Sequence, residues 1–202
     1  MTAKVFDDIL LKGIRAGQVP ARTKLARDWY RNQAKSVSRS SIEETKIIRQ
    51  MKDRYESKFR LGHMYTFLYD PKHKETLPYY DRFPLVFPIN TAKGGFLGMN
   101  FHYLPLPLRA QLMDALYEVT GNQKYDETTK MQISYSILNG ASKYREFKPT
   151  VKHYLTSQIR TKLVYINPAE WDIALFLPSE HFEKSSKGRV WADSRKIARG
   201  GR

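Results

Sequence analysis

Residues 79–105 read YYDRFPLVFPINTAKGGFLGMNFHYLP, and how this stretch is interpreted decides the fold. It holds three charged side chains, Asp81, Arg82 and Lys93, within a chain whose net charge is +15. FPLVFPI, residues 83–89, has the length and composition of a strand. Pro84 and Pro88 cannot donate to a ladder, so the run predicts an edge or bulged strand. A turn at residues 90–93 follows, and GGFLGMNFHYL, residues 94–104, predicts a partner strand. Gly94, Gly95 and Gly98 then serve a hairpin turn and close strand packing. Upstream, HMYTFLYDP at residues 63–71 is aromatic and partly alternating, and stops at the turn dipeptide Asp70-Pro71, which predicts another strand. A small sheet of this kind is marginal alone and needs a covering layer.

Helices supply that layer. Val5, Phe6, Ile9, Leu10 and Ile14 follow helical spacing, with Gly17 as C-cap. A second helix is predicted from Pro20 to about Ala34, with Leu25 and Trp29 on its apolar face. Ser41 with Glu44 reads as a capping box opening a third helix to about Tyr55, with Ile47, Ile48, Met51 and Tyr55 as its stripe. Beyond the hairpin, Pro107 opens a helix carrying Leu108, Leu112, Leu116 and Val119. Asp126 caps another through Leu138, with Ile133 and Ile137 inward. Pro149 begins a helix with Val151, Leu155 and Ile159. Asn167-Pro168-Ala169-Glu170 caps a short one with Trp171 and Leu175.

At 202 residues, 41% hydrophobic and 13% aromatic, the chain can build a real core. No apolar run approaches the roughly 18 residues of a membrane span. MTAKVFDDILLKG at the N-terminus has acidic residues inside its apolar stretch and does not read as a secretory signal. With no cysteine, disulfides, thiolate metal sites and thiol nucleophiles are excluded. Charge is uneven. Residues 1–60 hold 15 Lys/Arg against 7 Asp/Glu, residues 61–182 hold 13 against 11, and residues 183–202 hold 7 against 2. A nearly neutral body with basic ends points to polyanionic partners.

Signals for chemistry are weak. His63, His73, His102, His153 and His181 fit no zinc-protease spacing. Asp and Glu are few and scattered, unlike the clustered carboxylates of metal-dependent nucleases. KGGFLG lacks the spacing of a dinucleotide fingerprint and the closing Gly-Lys-Ser/Thr of a phosphate loop. Spacing along the chain leaves open a Ser–His–carboxylate set assembled in three dimensions. No catalytic, metal or cofactor residue is assigned. The candidate contacts to nucleic acid or protein are therefore the basic ends: Arg22, Lys24, Arg27, Arg31, Lys35, Arg39, Arg49, Lys52, Lys184, Lys187, Arg189, Arg195, Lys196, Arg199 and Arg202. Trp191 joins them, able to stack on a base, to pack on a neighbouring protein, or to dock the tail back onto the body.

GHMYTFLYDPKHKETLPYYDRFPLVFPI and GGFLGMNFHYLPLPLRAQLMDALYEV resemble a family of T-even-like tailed phages, the DNA end protector proteins. The likeness continues through YREFKPTVKHYLTSQIRTKL and EWDIALFLP, and covers roughly residues 60–182. The resemblance implies a virion protein, assembled in the host cytoplasm, that is added when the filled head is completed. It would sit at the genome's end or in the neck, contact double-stranded DNA and other virion proteins, and shield DNA from host exonuclease after injection. No residue-level role carries over. The expectation is an α+β fold with a small bent antiparallel sheet, SH3-like in form, flanked by helices. A basic helical arm spans residues 1–60, the core spans 61–182, and a basic extended tail spans 183–202. Three functions compete: a non-enzymatic protector of genome ends, a purely structural neck or baseplate component whose basic arms meet acidic neighbours, and a nuclease or other DNA-processing enzyme; no cofactor and no membrane partner is expected.

Overall fold

A computed structural model describes residues 5–20 and 23–200. In chain order come α1 (Val5–Arg15), α2 (Lys24–Ser36), α3 (Glu44–Gln50), β1 (Tyr55–Glu56), β2 (Met64–Thr66), β3 (Tyr80–Asp81), β4 (Leu85–Ala92) and β5 (Gly95–Asn100). There follow α4 (Leu106–Thr120), α5 (Glu127–Ala141), β6 (Val151–Leu155), β7 (Leu163–Ile166), α6 (Trp171–Phe176), β8 (Phe182–Glu183) and α7 (Lys187–Ala198). Six strands form one antiparallel sheet in the order β1-β7-β2-β4-β5-β6, and β3 pairs with β8 apart from it. The fold is α+β.

Side-chain alternation gives the sheet two apolar faces. Met64, Leu85, Phe87, Met99, Val164 and Ile166 face the helical layer. Tyr65, Val86, Phe96, Tyr154 and Leu163 lie on the opposite side. The sheet curls around this second face. Tyr69 bridges to Ile159, and the Arg160 N–H donates to the Leu68 carbonyl at 2.8 Å, closing the open side. Phe67 meets Tyr154 edge-on at 5.6 Å inside the curl. Phe6, Ile9, Tyr30, Ala34, Ile42, Ile47, Ile48 and Met51 join the first core, so the first three helices and the sheet share one interior.

The quoted stretch is the β4–β5 hairpin. Its turn places Gly94 at φ +75°, a conformation that favours glycine. A Cβ on Gly95 would lie 1.9 Å from the Tyr154 carbonyl oxygen, so glycine there lets β6 approach. The register shifts between Pro88 and Asn90, which bears out the bulge. Of the two alternatives it is the bulged one, because β4 lies between β2 and β5. The bulge absorbs a proline that a regular central ladder would not tolerate.

Four expectations are corrected. The helix expected from Pro149 is β6, an edge strand paired with β5, because Val, His, Tyr and Leu suit a pleated surface beside a neighbour. The apolar face of α2 is built from Ala26, Tyr30 and Ala34, while Leu25 is 74% exposed. The third helix is one of seven residues, and Ser41 ends a preceding 3-10 turn instead of capping it; Tyr55 already starts β1. The C-terminal tail is helical, not extended. Ser186 accepts from the Arg189 N–H as N-cap, and Val190 and Ser194, one turn apart, are buried against the body. Other expectations hold: Gly17 sits at φ +71° after α1, Asp126 accepts from the Thr129 N–H to start α5, and Asn167 accepts from the Ala169 N–H. The inward residues of α5 are Ser134, Leu138 and Ala141, with Ile133 and Ile137 half-buried at the margin.

Candidate nucleic-acid interface

Helix α7 carries the densest exposed charge of the candidate set. With Val190 and Ser194 inward, a 100° step per residue turns Arg189, Arg195, Lys196 and the following Arg199 outward. Trp191 holds the helix down. Its indole N–H donates to the His102 carbonyl at 2.8 Å, and its ring lies 5.5 Å from the Arg109 guanidinium carbon. Lys187 comes to 5.5 Å of the same ring. The indole is thus the joint between tail and body.

Arg109 is fully buried on α4 and fixes that joint. Its guanidinium donates to the Leu104, Leu175 and His102 carbonyls at 2.8, 2.8 and 3.2 Å, and to Glu180 at 2.7 Å. Burial pushes the Glu180 carboxyl up, and the Arg109 charge and hydrogen bond, with His102 and a backbone N–H, together outweigh it and leave Glu180 below its ordinary value. A cation this deep persists only with such satisfaction.

The N-terminal candidates divide by burial. Arg27 and Arg31 lie on the inner face of α2 at 6% and 4% exposure. Arg27 pairs with Asp114 at 2.8 Å, and Arg31 with Asp114 and Asp172 at 2.7 and 2.6 Å. Their charges tie α2 to α4 and α6 and face no solvent. Lys24, Lys35, Arg49 and Lys52 are exposed. Lys35 also rests 5.1 Å from the Phe176 ring centre. Arg22 and Arg202 lie outside the described residues.

Two candidates from opposite ends of the chain meet. Arg39 and Lys187 line one cleft of about 180 Å³ with Glu180, His181, Phe182 and Ser185. Within it Arg39 bonds Glu44 at 2.7 Å, and Glu44 also holds His181 at 3.1 Å. Lys184 has φ 65°, and its ammonium donates to the carbonyls of Lys74 and Glu75 at 2.6 and 3.1 Å. It therefore pins the loop before β3.

The structure does assemble a Ser–His–carboxylate set, which spacing had left open. His102 Nδ1 is 2.7 Å from Asp81 Oδ2, and His102 Nε2 is 3.3 Å from Ser179 Oγ. Asp81 also accepts from the Phe83 N–H and from Asn100 Nδ2, at 3.1 and 2.8 Å. Both imidazole nitrogens of His102 are thus engaged, one by a carboxylate and one by a hydroxyl. All three side chains are buried, and the cavity that Ser179 borders is about 20 Å³ and lined by Phe6, Ile47, Phe83 and Leu85. A substrate has no room there. The set instead joins β3, the turn after β5 and the segment after α6, the same frame on which Trp191 docks.

Sequence reasoning missed Lys152, because its segment was read as a helix. On β6 it shares a face with Tyr154, and its ammonium lies 4.2 Å from the Tyr103 ring centre. Arg145 and Lys148 also flank α7. A Cβ on Gly200 would lie 3.5 Å from the Arg145 guanidinium, and the turn containing Lys148 packs against the helix. Only strand pairing reveals these neighbours. Among the described residues no cluster of His, Asp and Glu has a metal-holding arrangement. No described helix is long and apolar enough to cross a membrane.

The fold and its surface define a basic α+β protein whose C-terminal helix is fastened to the body by a buried polar frame and turns four cations outward. The family model described as Phage T4 terminal DNA protecting protein matches residues 21–199, and the chain belongs to that family. No curated protein and no solved structure matches the chain.

Proposed function

We propose that the protein is a non-enzymatic virion component that binds and protects the ends of a packaged phage genome. The observation that carries this reading is membership of a terminal DNA protecting family over almost the whole chain. The outer face of α7 supports it. Arg189, Arg195, Lys196 and Arg199 form a row of cations on a well-docked helix, suited to backbone phosphates and indifferent to base sequence. Lys24, Lys35, Arg39, Arg49, Lys52 and Lys187 add exposed charge. Arg27, Arg31 and Trp191 support the contact surface from behind. The position we assign is the head-completion or neck region, with assembly in the host cytoplasm.

Contact with neighbouring virion proteins is a second reading, with an observation of its own. Leu11, Ile14, Val19 and Leu25, at 51, 63, 49 and 74% exposure, lie along α1, α2 and their connection. Apolar exposure on this scale fits a protein interface. In the purely structural version of this reading, a neck or baseplate subunit, the cations meet acidic neighbours and free DNA is not bound. Gel retardation of linear duplex across a salt series separates the two. Phosphate neutralisation predicts a fall in log affinity with log salt of about 0.9 per phosphate contacted. Absence of retardation at low salt would leave only the structural role.

A further inference from the structure

Next to the β3 turn lies a cavity of about 290 Å³ that the basic ends do not explain. Its walls combine aromatic rings with one cation. Tyr103 and Tyr154 are buried at its base, and Tyr79 and Tyr80 are half-buried. Tyr79 lies 6.1 Å from Tyr103 between ring centres, at 36°. Lys152 enters from β6. Its ammonium has no ion pair or hydrogen bond among the described residues, and its contact is the Tyr103 ring at 4.2 Å. Burial alone pushes its pKa down to about 8. The carboxylate on the cavity wall, Asp81, is occupied by His102, Asn100 and the Phe83 N–H.

A solvent-reachable cation without a counter-ion, set among tyrosines, is a receptor for an anion that carries a flat ring. We propose that this cavity takes the terminal nucleotide of a DNA strand, its base against Tyr79, Tyr80 and Tyr103 and its phosphate on Lys152. The inference deepens the end-protecting reading and rests on it for the source of the nucleotide. It explains how a protein whose other contacts are sequence-indifferent phosphate contacts could prefer ends to interior duplex. Stacking tolerates any base, and only an end offers an unpaired one.

The test uses full-length protein, the Lys152→Met variant, which keeps the aliphatic stem, and Lys93→Met as a control, an exposed lysine of the β4–β5 turn that does not line the cavity. Duplexes with one unpaired nucleotide at each end, carrying a photoreactive 5-iodouracil there, are compared with covalently closed circles. The expected result is a crosslink at Tyr79, Tyr80 or Tyr103, and at least a tenfold loss of preference for ends over circles in Lys152→Met. Affinity for circles should stay unchanged in both variants. Deoxyadenosine 5′-monophosphate, titrated while tyrosine ring resonances are followed, should bind wild-type protein better than deoxyadenosine and should lose that advantage in Lys152→Met. If the variant keeps both the end preference and the monophosphate advantage, the proposal is overturned while end protection itself stands. If linear duplex is not retained at all but the monophosphate binds, the nucleotide site stands and the end-protecting reading falls. If neither DNA nor the monophosphate binds, both fall.

Discussion

Arg31 and Lys152 show how differently two cations of a basic protein can be employed. Arg31 is buried between Asp114 and Asp172, and removing it strands a carboxylate in the interior. Arg31→Ala should destabilise by about 3–5 kcal/mol in urea unfolding, whereas Lys196→Ala on the outer face should stay within about 0.5 kcal/mol. Lys152 behaves in the opposite way. Tyr69, Tyr79, Tyr80, Tyr103, Tyr154, Asp81 and His153 surround it, none paired with its ammonium. Its folded pKa of about 8 lies below the unfolded value of about 10.4, so between these values the unfolded chain binds more protons. Stability from this group is therefore lowest below pH 8 and rises toward pH 10.5, by roughly 1–3 kcal/mol. Lys152→Met should be more stable than wild type at pH 7, and the difference should shrink by pH 10. Urea titrations of both proteins at the two values check this. Equal stability at pH 7 would mean that the ammonium is well solvated. A residue that costs stability where it stands is the pattern of a site kept for binding.

At the scale of elements, the hairpin and the C-terminal helix test the account. Gly95→Ala drives a Cβ into the Tyr154 carbonyl and should part β6 from β5, with a loss of about 3 kcal/mol or more and early amide exchange across residues 151–155. Ser186→Ala removes the N-cap of α7 and should cost about 1 kcal/mol, seen as faster exchange in its first turn. The elements legible in the sequence were those with their own local signals. The β4–β5 hairpin had its glycines, α5 had Asp126, and the segment before α6 had Asn167-Pro168. The elements misread were set by partners far along the chain. Residues 151–155 are a strand because β5 lies beside them, and the bulge at Pro88 keeps a proline-bearing strand central. Helix α7 looked like a loose tail because a single apolar pair, Val190 and Trp191, does the docking. The cations of the proposed contact surface are visible as composition. Which of them face inward is not, because Arg27 and Arg31 are sorted by Asp114 and Asp172, more than eighty residues away.

For the molecule as a whole, the buried frame of Asp81, Asn100, His102, Arg109, Ser179 and Glu180 connects the proposed contact surfaces to the body. It seats Trp191 and with it α7, it contributes Asp81 to the wall of the tyrosine cavity, and it joins β3 to the helical layer. The stretch at residues 79–105 is thus structural centre and cavity wall at once, while the outward charges stand on the segments around it. The proposed function requires this basic surface to hold DNA at its ends. The most direct measurement is survival of linear duplex against a processive exonuclease in the presence of excess covalently closed circles. Linear DNA should persist, circles should fail to compete the protection away, and protection should decline as salt rises. Digestion at the rate of naked DNA, or protection that circles abolish in proportion to their mass, would contradict it.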